Sequence, residues 1–469
     1  MKKIFLLFLF FYVKASAQQF SLYNTETLYD SFENPAQRSF IPDSSRQFAF
    51  NFLVPNFDIN TYLSGNIQPA IKTRLFANIP YYNTTALQIG MGKYNHFNAN
   101  INTYFFMLKM FSSLNGDVEM GLSAQTKMES SGLFSDESLA MFSGPSNFPQ
   151  NNYTNIFNDH YRFQSFHQLS FSYRERIDDK VAIGFKISGL LGIQHQKIDI
   201  TESHLTLDKI HDQAILTLHG RYEDSYMPDD SYTPTLRNPG AAISLGASYT
   251  TDNNITIQTN IKDLGFILWN KRSTLYNFNN SGILHNISSA AREDTIYNGT
   301  RKILKNNGSA NGFASTTNSQ AEISATKTYW LREENGFKYI PTLLLAKELF
   351  SPGFTGVFIN HFQYHNLTLS LTTSYNEMKF FNLGSQIMIK SPNAEFFIGS
   401  DRLLNTGKFA MAMLNTEQIN NTGNYSGGDL FLGFSLKFGQ VIDHPMNSSY
   451  IPIGGSDKGF FGRLFDRIF

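Results

Sequence analysis

Apolar and polar residues alternate with a period of two along most of the chain. The clearest run places Leu430, Leu432, Phe434, Leu436 and Phe438 against Phe431, Gly433, Ser435 and Lys437. Similar runs recur at 117–128, 165–175, 254–264 and 366–376. This period puts successive side chains on opposite faces of a β-strand. Each run is roughly ten residues long, which is the length a tilted strand needs to cross a bilayer.

The succession of these runs predicts an all-β fold, a transmembrane antiparallel up-and-down β-barrel of about 14–16 strands over residues 47–438. The sixteen-strand version includes runs at 47–57, 70–79 and 85–95. A count of 14 follows if some strand-like runs are loop excursions or plug segments. Aromatic residues near the run ends, such as Trp269, are expected to form interfacial girdles.

Four long connections are separated by even numbers of predicted strands and therefore emerge on one side of the barrel; they are 129–164, 194–240, 270–319 and 403–428. The connections between them are short. This asymmetry is typical of long extracellular loops and short periplasmic turns.

The polar parity of the strands predicts which charged residues face the lumen. They are Glu119, Arg174, Lys186, Lys262, Glu322, Lys390, Glu395 and Lys437. Their mixed signs could close into a salt-bridged plug or line a channel, and they argue against a uniformly apolar tunnel.

Composition supports a non-aqueous environment. The chain is 41% hydrophobic and 16% charged, and its 38 basic residues balance its 38 acidic ones, whereas soluble domains carry about 25% charged residues. Without a basic surface, nucleic acid is not an expected partner. The chain has no cysteine, which excludes disulfides, thiolate metal sites and a lipid-modified N-terminal cysteine.

The N-terminus has the pattern of an export signal. Lys2 and Lys3 precede an apolar stretch from Ile4 to Val13, and the small residues of 15–17 predict cleavage after Ala17. A signal peptide over 1–17 and a barrel together predict the outer membrane of a Gram-negative cell. Outer-membrane lipid and lipopolysaccharide are then the expected surroundings.

Two flanking segments are not strand-like. Residues 18–46 are irregular and either enter the lumen as a plug or lie beneath the barrel. Residues 439–469 form a periplasmic tail whose spacing predicts an amphipathic C-terminal helix at its end. That helix would lie on a membrane surface or bind a periplasmic partner; the alternative is a loosely packed terminus.

No motif predicts an enzyme, a cofactor or a metal site. Two strand positions, His361 and His365, would lie about 13 Å apart, too far for one ion, so both are expected in a girdle or loop. The acidic stretch 223–230 lacks the glycine of a calcium loop. Neither G-x-S-x-G, H-E-x-x-H nor a phosphate-binding glycine loop occurs.

Three segments resemble a functionally uncharacterised family of outer-membrane barrels of the Bacteroidota, similar in architecture to the FadL-type fatty-acid transporters. They are Asn34-Pro35-Ala36, the stretch from Lys262 to Trp269, and Gly399 to Leu404 after Phe396-Phe397. An early Asn-Pro-Ala also resembles the PorP/SprF-like barrels of secretion and gliding machinery. The resemblance implies a barrel with a partly occupied lumen and no catalytic residues.

Two functions remain open at this point. In the first, the barrel admits or binds a small solute, which could be apolar. In the second, it is a non-transporting accessory barrel with protein partners in an outer-membrane secretion, gliding or assembly complex. The sequence names neither the solute nor the partner.

Overall fold

The computed structural model describes residues 20–39, 46–76, 82–111, 118–227, 233–334, 336–350, 353–376, 381–414 and 425–440. The predicted signal peptide and the predicted tail helix lie outside these residues. The strands are β1 Arg46–Phe50, β2 Asn56–Ser64, β3 Tyr94–Phe111, β4 Val118–Ser135, β5 Asn152–Thr154, β6 His160–Arg176, β7 Val181–Asp208, β8 Gln213–Asp224, β9 Pro239–Thr250, β10 Ile255–Leu268, β11 Thr274–His285, β12 Gly308–Ala310, β13 Ala314–Thr316, β14 Gln320–Lys327, β15 Tyr329–Arg332, β16 Phe337–Glu348, β17 Phe354–Tyr364, β18 Leu367–Asn376, β19 Phe381–Lys390, β20 Ala394–Ser400 and β21 Tyr425–Gln440. The helices are α1 Leu28–Glu33, α2 Gln68–Phe76, α3 Asp136–Ser143, α4 Arg292–Leu304 and α5 Leu403–Leu414.

The strands close into an antiparallel barrel. Each neighbour pair is antiparallel in the order β3, β4, β6, β7, β9, β10, β14, β16, β17, β18, β19, β20, β21. The ring closes because β1 and β2 both pair with β21 on one side and with β3 on the other, and so share one position. The barrel therefore has 14 strands.

The sixteen-strand prediction was wrong in its first three strands, at 47–57, 70–79 and 85–95. Residues 68–76 form α2, not a strand, because Ala70 and Ile67 pack on one side against Leu139 of α3. Residues 82–93 form turns. The predicted strand 47–57 is broken at Asn51, whose side chain donates to the carbonyl oxygens of Val54 and Phe105 in place of the regular ladder.

Long and short connections fall on opposite ends of the barrel. The turns at 177–180, 251–254 and 391–393 are short. At the other end, β7 runs for 28 residues, about 90 Å at roughly 3.3 Å per residue, and so extends far beyond the ring. Its outer part pairs with β8, and β8 pairs with β11. This sheet and helices α3 and α4 make a layer over one barrel end, which we call the loop layer.

The outer wall of the barrel is apolar all the way round. Each of the 14 strand positions exposes a large apolar side chain: Ile59, Phe105, Leu122, Leu169, Ile187, Leu245, Ile257, Ile323, Leu343, Phe358, Leu371, Ile387, Ile398 and Leu430. A continuous apolar surface of this extent is far larger than the patches of soluble monomers. None of the helices in the described ranges is both long and apolar enough to cross a membrane.

Candidate functional site

The interior of the barrel is occupied by residues 20–39, which we call the inner segment. Nearly all of its residues are buried. It bonds to Asp401 beyond β20, His361 of β17, Lys109 of β3 and Arg174 of β6. A single short segment can reach strands on every side of a closed ring only from within it.

Local hydrogen bonds fold the inner segment into a compact turn and helix. Thr27 caps α1, since its hydroxyl accepts from the Asp30 amide at 3.2 Å. The Asp30 carboxylate in turn accepts from the amides of Thr25 at 3.0 Å and Glu26 at 3.2 Å. Cap and carboxylate together satisfy backbone donors that would otherwise be buried without partners.

The Asn34-Pro35-Ala36 motif packs against a part of the barrel wall where glycines replace larger residues. Gly184 of β7 lies opposite Gly246 of β9. A Cβ atom on Gly184 would lie 2.0 Å from the Pro35 carbonyl oxygen, and one on Gly246 would lie 2.6 Å from Asn34 Oδ1. The two glycines therefore let the backbone of the inner segment touch the strands directly.

The first group of inward charges surrounds Glu119. Its carboxylate accepts from the Ser39 amide at 3.0 Å and lies 3.7 Å from Lys109 Nζ and 3.9 Å from an Arg174 guanidinium nitrogen. Arg174 Nε donates to the Ala36 carbonyl oxygen at 2.8 Å. The group ties the end of the inner segment to β3, β4 and β6.

The second group contains Lys390, Glu395 and Lys437. Glu395 pairs with Lys437 at 2.6 Å and accepts from the Leu28 amide at 2.9 Å. Lys390 donates to the carbonyl oxygens of Thr25 and Glu26, each at 2.9 Å. This group therefore binds the backbone around the start of α1.

The third group is centred on a β-bulge in β10. The pairing of β10 with β9 shifts between Ile261 and Leu264, so that Lys262 and Asp263 together oppose Ser244. Asp263 has a φ of 46°. A bulge changes which way consecutive side chains point, and here both charged neighbours point inward.

Both bulge residues make ion pairs. Lys262 Nζ lies 2.6 Å from Glu33 of the inner segment and 3.8 Å from Glu322. Asp263 pairs with Lys186 at 3.1 Å and also with Lys127. The stretch from Lys262 to Trp269 thus begins at the point where the wall is ion-paired to α1.

All eight residues that polar parity assigned to the lumen lie on the inner face. Seven of them contact the inner segment or one another, and Lys186 pairs with Asp263. Sequence reasoning missed Asp263, because strict alternation turns it outward. A carboxylate at a lipid-facing parity is costly, and that cost was the available signal for a bulge. It also missed Lys109, Lys127 and Glu33.

Two expectations about aromatic and histidine positions were wrong. Trp269 is not a girdle residue: it is buried, and its indole N–H donates to Ser315 at 2.8 Å. His361 is not in a girdle or loop, since its ring lies inside the barrel 3.0 Å from the Tyr23 carbonyl oxygen. Both rings pack inward, where their polar atoms have hydrogen-bond partners.

Cavities lined by the described residues lie inside the barrel and in the loop layer. The lower cavity, about 120 Å³, lies above α1 between the inner segment and the third charged group. The upper cavity, about 300 Å³, lies toward the loop layer and shares Asn318 and Glu348 with the lower one. The loop pocket, about 400 Å³, lies within the loop layer itself.

The loop pocket is mainly apolar. Its walls come from α3, α4 and the outer sheet and include Ile200, Leu205, Leu216 and Leu218. Polar and charged residues also line it: Ser138, Asp159, Gln196, Thr300, Arg301 and Lys305. Burial raises the pKa of Asp159 to about 6, against hydrogen bonds from Ser138 and the Ser135 amide that lower it. An apolar cavity with a few convergent polar groups is the usual form of a small-molecule site.

The chain is similar to several solved structures that are remote in sequence. They include the toluene transporter TbuX of Ralstonia pickettii, 10% identical over 88% of this chain and 93% of that chain with a TM-score of 0.38. A FadL homologue of Pseudomonas aeruginosa is 11% identical over 89% and 95%, with a TM-score of 0.40. The toluene transporter TodX of Pseudomonas putida is 9% identical over 91% and 95%, with a TM-score of 0.34. At these values nothing about this chain's solute follows.

No curated protein sequence matches the chain. A family model does match it, over residues 40–401. These residues span most of the barrel, from just before β1 to the end of β20. The chain therefore belongs to the family of unknown function DUF5723.

Proposed function

We propose that this protein is an outer-membrane barrel that binds a small, largely apolar solute and admits it to the cell. The observation that carries the proposal is the loop pocket, about 400 Å³ in volume and walled by Ile200, Leu205, Leu216 and Leu218. A cavity of this size and polarity suits a compact hydrocarbon or aromatic molecule. The apolar outer wall of the barrel supports a location in lipid.

Binding and passage are separate steps in this proposal. The loop pocket lies outside the ring of strands, whereas the inner segment and its ion pairs occupy much of the interior. A solute held in the loop pocket therefore meets a closed interior. Passage requires the inner segment to shift away from part of the wall.

The binding step is tested with radiolabelled naphthalene and the full chain in lipid nanodiscs, with empty nanodiscs as the blank. Ile200→Trp places a large side chain in the pocket wall, where Ile200 is 6% exposed. Ile210→Trp makes the same change at the tip of the β7–β8 hairpin, where Ile210 is 91% exposed. We expect Ile200→Trp to abolish saturable binding and Ile210→Trp to retain it. Full binding by both variants would place the solute elsewhere.

A second function, a non-transporting accessory barrel in a secretion, gliding or assembly complex, is favoured by one observation: inward charges on at least nine strands bind the inner segment or one another. Single-channel conductance in planar bilayers separates the two functions. Conductance events that increase in Glu33→Gln support passage, because this change removes an ion pair between α1 and the wall. A barrel that stays silent in both forms supports the accessory function.

A further inference from the structure

The wall of the lower cavity is acidic. Seven carboxylates and two lysines line it: Asp30, Glu33, Asp58, Glu129, Asp263, Glu322 and Glu348, with Lys127 and Lys262. Both lysines already have carboxylate partners, Lys127 in Asp263 and Lys262 in Glu33. The cavity therefore presents an excess of negative charge to anything that enters it.

Several buried oxygen atoms of this wall take part in no hydrogen bond. Among the described residues, no group donates to Asn100 Oδ1, Asn102 Oδ1 or Glu129 Oε2. The Tyr23 hydroxyl, on a side chain only 7% exposed, also has no partner in the described residues. All four residues line the lower cavity. Buried acceptors without donors are costly, so the wall is complementary to a ligand rich in donors.

The chemistry of these atoms favours an ammonium ion over a metal ion. Amide oxygens, carboxylates and a hydroxyl suit N–H donors, and a primary ammonium carries three donors and one positive charge. Within the described ranges, no three His, Asp or Glu side chains converge as metal ligands. About 120 Å³ holds several groups of the size of water, which is enough for an ammonium head and a short alkyl chain.

The lower cavity and the upper cavity have wall residues in common. Asn318 and Glu348 belong to the walls of both the lower and the upper cavity. The upper cavity also contains Asp199 and Glu223 beside Arg162 and Lys197. The wall between the two cavities is therefore polar, and carboxylates line both sides of it.

We propose that the lower cavity is a binding site for a small primary alkylammonium ion. The site is separate from the loop pocket in place and in chemistry. Its ligand is charged, whereas the solute of the loop pocket is apolar. The inner segment contributes Tyr23, Asp30 and Glu33. The barrel wall contributes the acceptor atoms of Asn100, Asn102 and Glu129 that have no donor among the described residues.

The test uses three probes of similar size, measured by calorimetry on the full chain in lipid nanodiscs. Propylammonium has both charge and N–H donors, propan-1-ol lacks the charge, and tetramethylammonium lacks the donors. We expect saturable binding of propylammonium and much weaker binding of the other two. Equal binding of propan-1-ol, equal binding of tetramethylammonium, or no saturable binding of propylammonium would each overturn the proposal.

Paired variants locate the site. Glu129→Gln removes one charge from the cavity wall at nearly constant size, and Glu202→Gln makes the same change at an exposed position of β7. Propylammonium affinity should fall about tenfold in the first variant, as expected for a lost charged hydrogen bond, and stay unchanged in the second. Equal affinities in both variants would contradict the site.

An opposite change keeps the test decisive if Glu129→Gln fails to fold. Asn100→Asp adds a negative acceptor to the same wall and should raise propylammonium affinity severalfold; an unchanged or lower affinity would overturn the proposal. Naphthalene binding at the loop pocket should be unaffected by either cavity variant. The proposals for the two sites are therefore tested independently of each other.

Discussion

Gly184 of β7 and Gly246 of β9 face each other in the barrel wall, and together they seat the backbone of Asn34-Pro35-Ala36. The contact is direct, because a Cβ atom at Gly184 would lie 2.0 Å from the Pro35 carbonyl oxygen. This pair explains why an irregular stretch near the N-terminus and two glycines some 150 and 210 residues later belong to one structural feature.

Gly184→Ala should therefore destabilise the protein. The added methyl group must displace backbone rather than a flexible side chain, and overpacking of this kind costs about 1–3 kcal/mol. Gly189→Ala is the matched control on the same strand, since its Cβ would meet nothing within 4 Å. The measurement is reversible denaturant unfolding in lipid vesicles. Similar unfolding free energies for the two variants would show that the inner segment does not rest on this part of the wall.

The ion pair between Lys262 and Glu33 should couple α1 to the bulge. Removing one partner of a buried pair costs about 3 kcal/mol, because the other charge stays buried. Lys262→Gln and Glu33→Gln should each show a loss of this order, and the double variant should lose much less than the sum. Unfolding free energies of the four proteins give the coupling. Strict additivity would mean that the two side chains do not meet in the folded protein.

Arginine substitutions should distinguish the barrel wall from the loop layer. Leu343 of β16 and Ile283 of β11 are similarly exposed, at 63% and 57%. If lipid surrounds the ring alone, Leu343→Arg should cost roughly 2–4 kcal/mol near the bilayer centre, whereas Ile283→Arg should cost little because water solvates the charge. Unfolding in lipid vesicles provides both values. A larger cost for Ile283→Arg than for Leu343→Arg would mean that lipid surrounds the loop layer rather than the ring of strands.

The loop layer should lose stability as the pH rises from about 4 to about 6. Burial raises the pKa of Asp159 from 3.8 to about 6 in the folded protein. The folded state then holds the proton more tightly than the unfolded state, so that stability is greatest below the unfolded pKa and declines until the folded pKa is passed.

Asp159→Asn should remove this dependence, because an amide does not ionise in this range. The comparison uses hydrogen exchange of the α3 amides in both proteins at each pH, so that the intrinsic pH dependence of exchange cancels. An identical pH response in the two proteins would assign the effect to another group.

The period-two pattern was enough to predict an antiparallel β-barrel and the alternation of inner and outer faces along its strands. These features depend on a local property, because alternation along a strand decides which face each side chain occupies. A sheet closes into a barrel when every strand pairs with two neighbours. Leu430, Leu432 and Leu436 could be placed on the outer face from their spacing alone.

Other features depended on contacts between residues distant in sequence. Alternation around Ala70 resembles a strand, but packing against Leu139 makes it a helix. Strict alternation turns Asp263 outward, yet the bulge opposite Ser244 brings it to Lys127 and Lys186. Local spacing along one strand cannot predict these outcomes, because the contacts that decide them are made with other strands and helices.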